Sequence, residues 1–254
     1  MTASLPRCAR ILSTVDETVT VRTLTLDISL SAEPGQFAMA WLPGVDERPF
    51  SLADVNPVML TVARVGRFTE AIHYLRAGEQ LWIRGPLGRP FSLPDRPPSP
   101  YRGESAALPV SGLLMVGGGY GVAPLHFLAR RAVTSKWKVA VVVGARTAAD
   151  VVFAGRLRRL GACVTVTTDD GTQGEPGLAT DAVSRLLNQG AYAALYACGP
   201  EAMLDAVERL GREHRLPTQL SYERAMRCAF GVCGTCSRQG WLVCRDGPVK
   251  TIEP

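Results

Sequence analysis

The sequence predicts an antiparallel β-barrel, followed by a doubly wound parallel α/β domain and a small C-terminal module rich in cysteine. Three observations predict this fold class. Short alternating strands fill the first part of the chain, strand and helix patterns alternate from residue 112, and four of the seven cysteines fall between residues 228 and 244. The predicted domains are residues 1–95, a linker or surface loop at 96–111, residues 112–215 and residues 216–254.

The barrel is predicted from strands of similar length that follow one another at close spacing, with turn residues between them. One helical pattern, over residues 69–76, interrupts the series. The predicted strands cover residues 19–28, 37–42, 59–65 and 80–88.

The second domain is predicted from strands that alternate with amphipathic helices, which is typical of a parallel doubly wound sheet. Its predicted strands include 113–117, 138–145, 163–168 and 194–199. A proline-rich stretch without periodicity precedes it and forms the predicted linker. The tail after residue 216 is too short for a core of its own, so we expect it to need a metal to fold.

Composition excludes several classes of protein. The formal net charge is +5, but the positive residues are mostly arginines scattered along the chain rather than the basic stripe of a nucleic-acid binder. No apolar run reaches the roughly 18 residues needed to span a membrane, and the N-terminus lacks the apolar stretch of a signal peptide. We therefore expect a cytoplasmic protein that binds neither nucleic acid nor membrane. In such a reducing compartment, seven cysteines point to metal binding or chemistry rather than disulfides.

A glycine-rich turn between a buried strand and an amphipathic helix predicts a nucleotide site. Glycine lets the backbone approach a pyrophosphate, whose charge is met by the helix N-terminus. The glycines are Gly117, Gly118, Gly119 and Gly121. A second mark, Cys198-Gly199-Pro200, ends the last strand of the parallel sheet, at the edge where such folds bind ligands. The alternative for Cys198 is a small buried residue without ligand contact.

Together with Ala123-Pro124-Leu125, these marks resemble the nucleotide site of the ferredoxin–NADP reductase superfamily. The resemblance implies that Cys198 lies near the nicotinamide ring, in a catalytic position. It favours NAD, although Arg146 would suit the 2′-phosphate of NADP and Asp169 and Asp170 add negative charge nearby. The choice between the two nicotinamides stays open at this point.

The run Arg48-Pro49-Phe50-Ser51 has the form that the same superfamily uses to hold flavin. An arginine fork suits a phosphate, a serine hydroxyl can bond the edge of the flavin ring, and proline fixes the backbone between them. The resemblance therefore implies FAD in the barrel.

A second flavin element is predicted around residues 62–69. Thr69 is predicted as the N-cap of the helix at 69–76, which would form an anion site for the flavin pyrophosphate. Val62, Ala63 and Arg64 would line the flavin or its adenosine half. Phe68 stands where members of the superfamily usually carry a glycine.

The C-terminal cysteines have the order Cys228-x4-Cys233-x2-Cys236-x7-Cys244. The first three match the spacing of thiolate ligands around a plant-type [2Fe–2S] cluster, although the module is too short for a plant-type ferredoxin domain. Small residues between the cysteines would let backbone N–H groups turn toward the sulfur atoms. Structural zinc is the alternative, but zinc ribbons generally carry two C-x2-C pairs.

The order of barrel, nucleotide domain and cluster module resembles the family of electron-transfer subunits of NAD-dependent heteromeric dihydroorotate dehydrogenases. The resemblance spans nearly the whole chain, and its most specific parts are residues 221–236 and 243–248. It implies that a partner subunit bearing FMN oxidises dihydroorotate in pyrimidine (UMP) biosynthesis, and that electrons reach NAD⁺ through the [2Fe–2S] cluster and FAD. The implied assembly is a heterotetramer of two plus two subunits. One departure is the short spacing between Cys236 and Cys244, which trims the hairpin bearing Trp241.

Two alternatives remain at this stage. The same three-part layout occurs in gamma-type subunits of sulfhydrogenases and other soluble redox complexes, which bind FAD and a cluster but serve other partners. A non-enzymatic scaffold or sensor with a zinc-binding tail is the second alternative. No Ser-His-Asp arrangement or pair of carboxylates is apparent, which is consistent with an electron carrier.

Overall fold

The computed structural model describes residues 5–95 and 110–253. Most of the predicted linker at 96–111 lies outside the described residues. The chain divides into two compact units. One contains the chain up to Phe91 together with Ser221–Lys250, and the other contains Ser92–Leu220 and the residues from Thr251 onward.

The first unit contains a closed six-stranded barrel, which confirms the predicted antiparallel barrel. Its strands follow the order β1-β2-β5-β4-β3-β6, and every neighbouring pair is antiparallel. Apolar side chains such as Ile11, Leu24, Leu60 and Ile83 are fully buried. The elements are β1 (Arg7–Asp16), β2 (Val21–Leu26), β3 (Phe37–Leu42), β4 (Asp46–Val55), β5 (Val58–Ala63), α1 (Arg67–Tyr74) and β6 (Gln80–Leu87).

The second unit is built on parallel strands with helices between them, as predicted. The seven-stranded sheet has the order β10-β9-β8-β7-β11-β12-β15. Strand β7 lies at its centre between β8 and β11, because the chain first builds outward on one side and then returns to the other. The elements up to β12 are β7 (Val110–Gly118), α2 (Val122–Thr134), β8 (Val139–Ala145), α3 (Ala154–Arg159), β9 (Cys163–Thr168), β10 (Glu175–Pro176), α4 (Ala179–Gln189), β11 (Ala191–Cys198), α5 (Glu201–Glu213) and β12 (Thr218–Ser221).

The central strand of this sheet is apolar on both faces. Leu113, Leu114, Met115 and Val116 are all fully buried. A continuous apolar run of this kind is what a parallel strand covered by helices on both sides requires. None of the helices in the described part of the chain is long and apolar enough to cross a membrane.

The C-terminal tail packs on the barrel and shares a core with it. Its elements are β13 (Ser237–Arg238), β14 (Trp241–Leu242), α6 (Val243–Asp246) and β15 (Val249–Ile252), of which β15 ends the seven-stranded sheet. Met226, Ala229, Cys236, Val243 and Cys244 form one buried cluster with barrel residues Phe37, Met39 and Leu87. The short tail therefore obtains from the barrel the apolar surface that it lacks by itself.

Candidate functional site

The glycine-rich turn and the Cys198-Gly199-Pro200 segment, far apart in sequence, interlock in the structure. Gly117 pairs with Cys198 across β7 and β11, at the carboxyl end of both strands. A Cβ atom on Gly118 would lie 2.7 Å from Pro200 Cδ and 3.0 Å from Met203 Sδ. Because a larger residue would collide there, glycine at position 118 is required by close packing.

Cys198 is the last residue of β11 and is only 1% exposed. Gly199 follows it with a φ of +157°, and a Cβ there would lie 2.9 Å from the backbone nitrogen of Gly118. Strand order reverses around β7, and the crevice outside the carboxyl ends of the strands at such a point is where these sheets bind ligands. The structure thus brings together the residues predicted to hold the nicotinamide nucleotide.

Charged residues follow two neighbouring strands of the same sheet, β8 and β9, and Thr172 joins the two loops that carry them. The Thr172 hydroxyl lies 2.6 Å from Asp170 Oδ1 and accepts a hydrogen bond of 2.8 Å from Ala148 N–H. The hydroxyl and the backbone N–H of Thr172 both donate to Asp170 Oδ1, and these two bonds lower the pKa of Asp170 below its usual value. Arg146, which follows β8, is largely exposed and lies 3.8 Å from an oxygen of Asp150. An acidic side chain and a basic side chain therefore follow adjacent strands at the edge predicted to bind the nucleotide.

The predicted flavin residues on β4 and α1 meet through two aromatic rings. Phe50 stacks on Phe68 with ring centroids 6.1 Å apart and an angle of 28° between the planes. Phe68 is 5% exposed, so its side chain is buried in the protein and does not project into solvent at the start of the helix. The Arg48 guanidinium is half exposed and lies 2.6 Å from Asp46 Oδ2. Ser51 is half-buried and pairs with Phe37 on β3.

The prediction that Thr69 is the N-cap of its helix is wrong. The helix begins at Arg67 and its N-cap is Gly66. Thr69 is instead the third helical residue, and its hydroxyl reaches back to accept hydrogen bonds from the N–H groups of Val65 at 2.9 Å and Gly66 at 3.0 Å. Glycine has no side chain with which to cap a helix, so the threonine fixes the turn from inside the first turn.

The anion site predicted at the helix start stays a prediction, with the start of the helix now at Arg67. The first bond within the helix runs from Glu70 N–H to the Gly66 carbonyl. The N–H groups of Arg67, Phe68 and Thr69 therefore have no backbone acceptor within the helix, as at any helix N-terminus. Such groups can receive a phosphate.

The third predicted flavin segment follows β5. Val62 is buried in the barrel, Ala63 is half-buried and Arg64 is exposed. Arg64 lines a cleft of about 620 Å³ between the β1–β2 hairpin and α1, together with Glu70, His73 and Tyr74. Among the described residues predicted to hold flavin, Arg64 is the one that lines this cleft.

The four cysteines of the tail are arranged as two pairs. Cys228 Sγ accepts N–H groups from Phe230 and from Cys233, both at 3.4 Å, and Cys236 Sγ accepts the N–H of Cys244 at 3.5 Å. Positive φ angles at Ala229, Gly231 and Gly234 turn the chain around the first pair. Cys236 and Cys244 are buried against the barrel, whereas Cys233 is exposed.

The surroundings of the thiols differ between the two pairs. The hydrogen bond between Cys233 and the Thr235 hydroxyl, with help from Cys228, lowers the pKa of Cys233 to about 6. Burial raises the pKa of Cys228, but the N–H groups of Cys233, Phe230 and Val232 outweigh it, and the net pKa is lowered. Burial and then a hydrogen bond with Cys236 raise the pKa of Cys244 to about 12. The lowered pKa values of Cys228 and Cys233 favour the thiolate form that a metal binds, and a bound metal would displace the proton of Cys244.

The donor set fits a [2Fe–2S] cluster. Such a cluster takes four thiolates, two on each of its two irons, and backbone N–H groups directed at the ligand sulfurs set its potential. The two cysteine pairs and the N–H groups at Cys228 and Cys236 supply these elements. Among the described residues, no three His, Cys, Asp or Glu side chains converge on the position of a single metal ion.

Two charged residues were not singled out from the sequence: Arg84, which contacts Cys228, and Glu47, which is bonded to Arg84. Arg84 on β6 donates from Nε and Nη2 to both carboxylate oxygens of Glu47 on β4, at 3.0 and 2.9 Å. Its Nη2 also lies 3.3 Å from the Cys228 carbonyl oxygen. The available signal was a lone arginine within the otherwise apolar segment Leu81–Leu87, which an isolated barrel would not be expected to bury.

Comparison with known proteins now identifies the class. Residues 115–209 match the family described as the oxidoreductase NAD-binding domain, and residues 223–253 match the iron-sulfur cluster binding domain of dihydroorotate dehydrogenase B. With the barrel and the four cysteines, these matches define an NAD-linked iron–sulfur oxidoreductase subunit.

Curated relatives identify the family within that class. A protein of Methanocaldococcus jannaschii is 35% identical over 96% of this chain and 89% of its own length. A protein of Thermococcus kodakarensis is 39% identical over 90% of this chain and 89% of its own length. Both are named probable dihydroorotate dehydrogenase B (NAD(+)), electron transfer subunit. The chain belongs to this family of electron transfer subunits, as its resemblance implied.

Solved structures support the same architecture. A structure of an NADH-dependent reduced ferredoxin–NADP oxidoreductase, described in terms of flavin-based electron bifurcation, matches 99% of this chain and 90% of its own chain, with a TM-score of 0.81 and 26% identity. A cytochrome P450 reductase of Amycolatopsis matches 85% of this chain and 68% of its own chain, with a TM-score of 0.67 and 28% identity.

Proposed function

We propose that this chain accepts electrons singly at a [2Fe–2S] cluster and delivers them as hydride to NAD⁺ through a bound FAD. The proposed cluster ligands are Cys228, Cys233, Cys236 and Cys244. The proposed FAD residues are Arg48, Pro49, Phe50, Ser51, Val62, Ala63, Arg64, Phe68 and Thr69. The proposed nicotinamide residues are Gly117, Gly118, Gly119, Gly121, Cys198, Gly199 and Pro200. The domain limits predicted above are part of the same proposal.

The observation that carries this proposal is the shared core of the cysteine tail and the barrel. Cys236 and Cys244 pack in one apolar cluster with Phe37 and Met39 of β3. On β3, Phe37 pairs with Ser51 and Met39 pairs with Pro49, which are two residues of the predicted flavin motif. A single strand therefore separates the proposed cluster ligands from the proposed flavin residues, which supports direct electron transfer within this unit.

The chemistry divides between the groups that these residues would hold. Bound there, the cluster would transfer single electrons. The flavin would collect two of these electrons and pass them on as a hydride, and NAD⁺ would accept that hydride. The role of the chain is to bind and orient. Arg48 neutralises a flavin phosphate, the N–H groups at the start of α1 receive the pyrophosphate, and the glycine turn admits the nicotinamide pyrophosphate. Cys198, which is buried at the end of β11, excludes water from that side of the site.

The proposed electron donor is a catalytic dihydroorotate dehydrogenase subunit, because the relatives are named as electron transfer subunits of that enzyme. We further propose that this partner carries FMN, that two copies of each subunit assemble, and that the complex serves pyrimidine biosynthesis. A cytoplasmic location belongs to the same proposal, because the cluster thiolates need a compartment that keeps thiols reduced.

The test is co-purification of the chain with the catalytic subunit from its host, followed by assays of iron, sulfide and flavin content. Addition of dihydroorotate and NAD⁺ should produce NADH with the complex and no NADH with the chain alone. The matched control is the complex in which Cys236 is replaced by serine, which should oxidise dihydroorotate with an artificial dye but form no NADH. Zinc in place of iron, or no flavin, would refute the proposal.

A second candidate function is supported by the match to the ferredoxin–NADP oxidoreductase structure over 99% of this chain. In this alternative the same flavin and cluster serve another redox partner, such as that of a sulfhydrogenase. An NADH-dependent reduction of dyes by the chain, combined with a different co-purifying subunit and no response to dihydroorotate, would select this alternative.

A further inference from the structure

Arg84 is a buried arginine that joins the barrel to the first cysteine of the tail. It is 7% exposed and lies on β6, where it pairs with Met39 of the shared core. Its bidentate bond to Glu47 fixes the plane of the guanidinium, and Nη2 also reaches the Cys228 carbonyl oxygen at 3.3 Å. One side chain therefore contacts two barrel strands and the loop from Cys228 to Phe230.

The loop from Cys228 to Phe230, called the cysteine loop here, also covers one face of the guanidinium. The ring of Phe230 lies over Arg84, with Cζ 4.5 Å from the ring centroid. The residue between Cys228 and Phe230 is Ala229, which is buried and has a φ of +58°. This left-handed residue turns the loop so that the Cys228 carbonyl and the Phe230 ring both contact the same guanidinium.

One donor of this arginine has no partner in the described part of the chain. Nη1 is buried and forms no hydrogen bond with any of the described residues. A buried N–H group without an acceptor is costly, so its presence indicates an acceptor that the polypeptide itself does not supply. In the proposed function the cluster would be bound next to this side chain, because Nη2 of Arg84 contacts the carbonyl oxygen of Cys228, a proposed ligand.

We propose that Arg84 is a positioning residue for the [2Fe–2S] cluster: it clamps the Cys228–Phe230 loop to the barrel and places a buried positive charge beside the cluster, with Nη1 donating to a cluster sulfur. This inference rests on the proposed function. A reduced cluster carries one more negative charge than an oxidised one, so a neighbouring cation favours reduction. Glu47 opposes part of this effect, because its carboxylate is bonded to the same guanidinium.

The test is a redox titration of the whole chain with its cluster, followed by electron paramagnetic resonance of the reduced form. Arg84→Met removes the cation and leaves Glu47 unpaired, so at a fixed potential the ratio of reduced to oxidised cluster should fall about tenfold, a shift of about 59 mV for one electron. Glu47→Gln removes the opposing anion and should raise the ratio. The double variant, which leaves the net charge unchanged, should lie between the two single variants.

Arg84→Lys separates charge from clamping. Lysine keeps the cation but cannot reproduce the bidentate bond or the broad contact with the Phe230 ring. Its cluster potential should stay near that of the wild type, whereas loss of iron to a chelator should be faster. The control is Arg185→Met, which breaks another arginine–glutamate ion pair, from Nη2 of Arg185 to both carboxylate oxygens of Glu175 in the other unit, and should change neither property.

Several outcomes overturn the inference. One is that the cluster potential is unchanged in both Arg84→Met and Glu47→Gln. Another is that the potential shifts in the same direction in both variants, which is what a merely structural effect on the loop would give. If Arg84→Met does not retain the cluster, the potentials of Glu47→Gln and Arg84→Lys decide the result. A wild-type chain that shows no cluster signal would overturn the proposed function itself, and this role with it.

Discussion

Gly121 and Cys198 approach each other so closely that a Cβ atom on Gly121 would lie 2.5 Å from the carbonyl oxygen of Cys198. Gly121 has a φ of −61°, which any residue can adopt, so glycine is required here for space and not for backbone conformation. The contact joins the start of α2 to the end of β11. The geometry of the nucleotide site is therefore set by packing between two segments that are distant in sequence.

The first prediction is that Gly121→Ala destabilises the second unit and weakens NADH binding. The added methyl group meets backbone atoms, which cannot move aside as a flexible side chain could, so we expect a loss of about 1–3 kcal/mol in the free energy of unfolding. Chemical denaturation and NADH titration measure the two effects. The control is Gly155→Ala on α3, where a Cβ would have only Arg159 Nη1 within 4 Å, at 3.6 Å. Equal stability of the two variants would contradict the prediction.

Strands with a clear pattern were predictable from the sequence, and irregular ones were not. The prediction of a strand at 37–42 is confirmed by β3, and the apolar run around Val141 is confirmed by β8. Strand β4 was missed because DERPFSLADV contains charges and a proline, and its first half is only partly buried. Strand β1 was missed for a similar reason, since most of its residues are exposed. Both are held by barrel pairing rather than by a local pattern.

The candidate site shows the same division between local and long-range information. Cysteine spacing and glycine-rich turns are local patterns, so the sequence could indicate both sites. The contact between Arg84 and Cys228 joins residues separated by 144 positions, and no spacing rule predicts it. The placement of Thr69 within the first helical turn depended on where the helix begins, which a sequence pattern defines only to within about two to four residues.

The second prediction concerns the cluster ligands. Replacement of Cys236 by serine should abolish the visible absorption of the [2Fe–2S] cluster, because Cys236 supplies a proposed ligand and its Sγ accepts the N–H of Cys244. Iron and sulfide analysis of the purified protein measures the loss. The matched control is Cys163→Ser, since Cys163 is exposed and lies on β9, in the other unit. A Cys236→Ser protein with full iron content would remove this residue from the ligand set.

The third prediction is that Arg48→Gln weakens FAD binding. Loss of a charge-assisted bond to phosphate costs about 1.5–3 kcal/mol, which is about a tenfold to hundredfold increase in Kd. Fluorescence titration of the protein without flavin measures this change. Asp46→Asn is the matched control, because it removes the carboxylate that now lies 2.6 Å from Arg48. That variant should bind FAD at least as tightly as the wild type, and a weaker affinity would show that the ion pair, not the free guanidinium, serves the flavin.

The fourth prediction follows from the corrected position of Thr69. Thr69→Ala leaves the N–H groups of Val65 and Gly66 without the hydroxyl that now accepts them. Loss of such a bond at a helix start costs about 0.5–2 kcal/mol, and we expect the barrel unit to lose that much stability. FAD affinity should fall as well, because the turn that presents the N–H groups of α1 is no longer fixed.

Thr69→Ser distinguishes the hydroxyl from the buried methyl group of the same side chain. Serine keeps the acceptor for Val65 and Gly66 N–H and loses only the methyl, so it should retain most of the stability and the FAD affinity. Denaturation curves and flavin titrations of the two variants make the comparison. If Ser and Ala behave alike, Thr69 acts through packing of its methyl group, and the hydroxyl does not organise the proposed phosphate site. If only Ala is impaired, the hydrogen bonds that the Thr69 hydroxyl accepts from Val65 and Gly66 fix the geometry of the helix start.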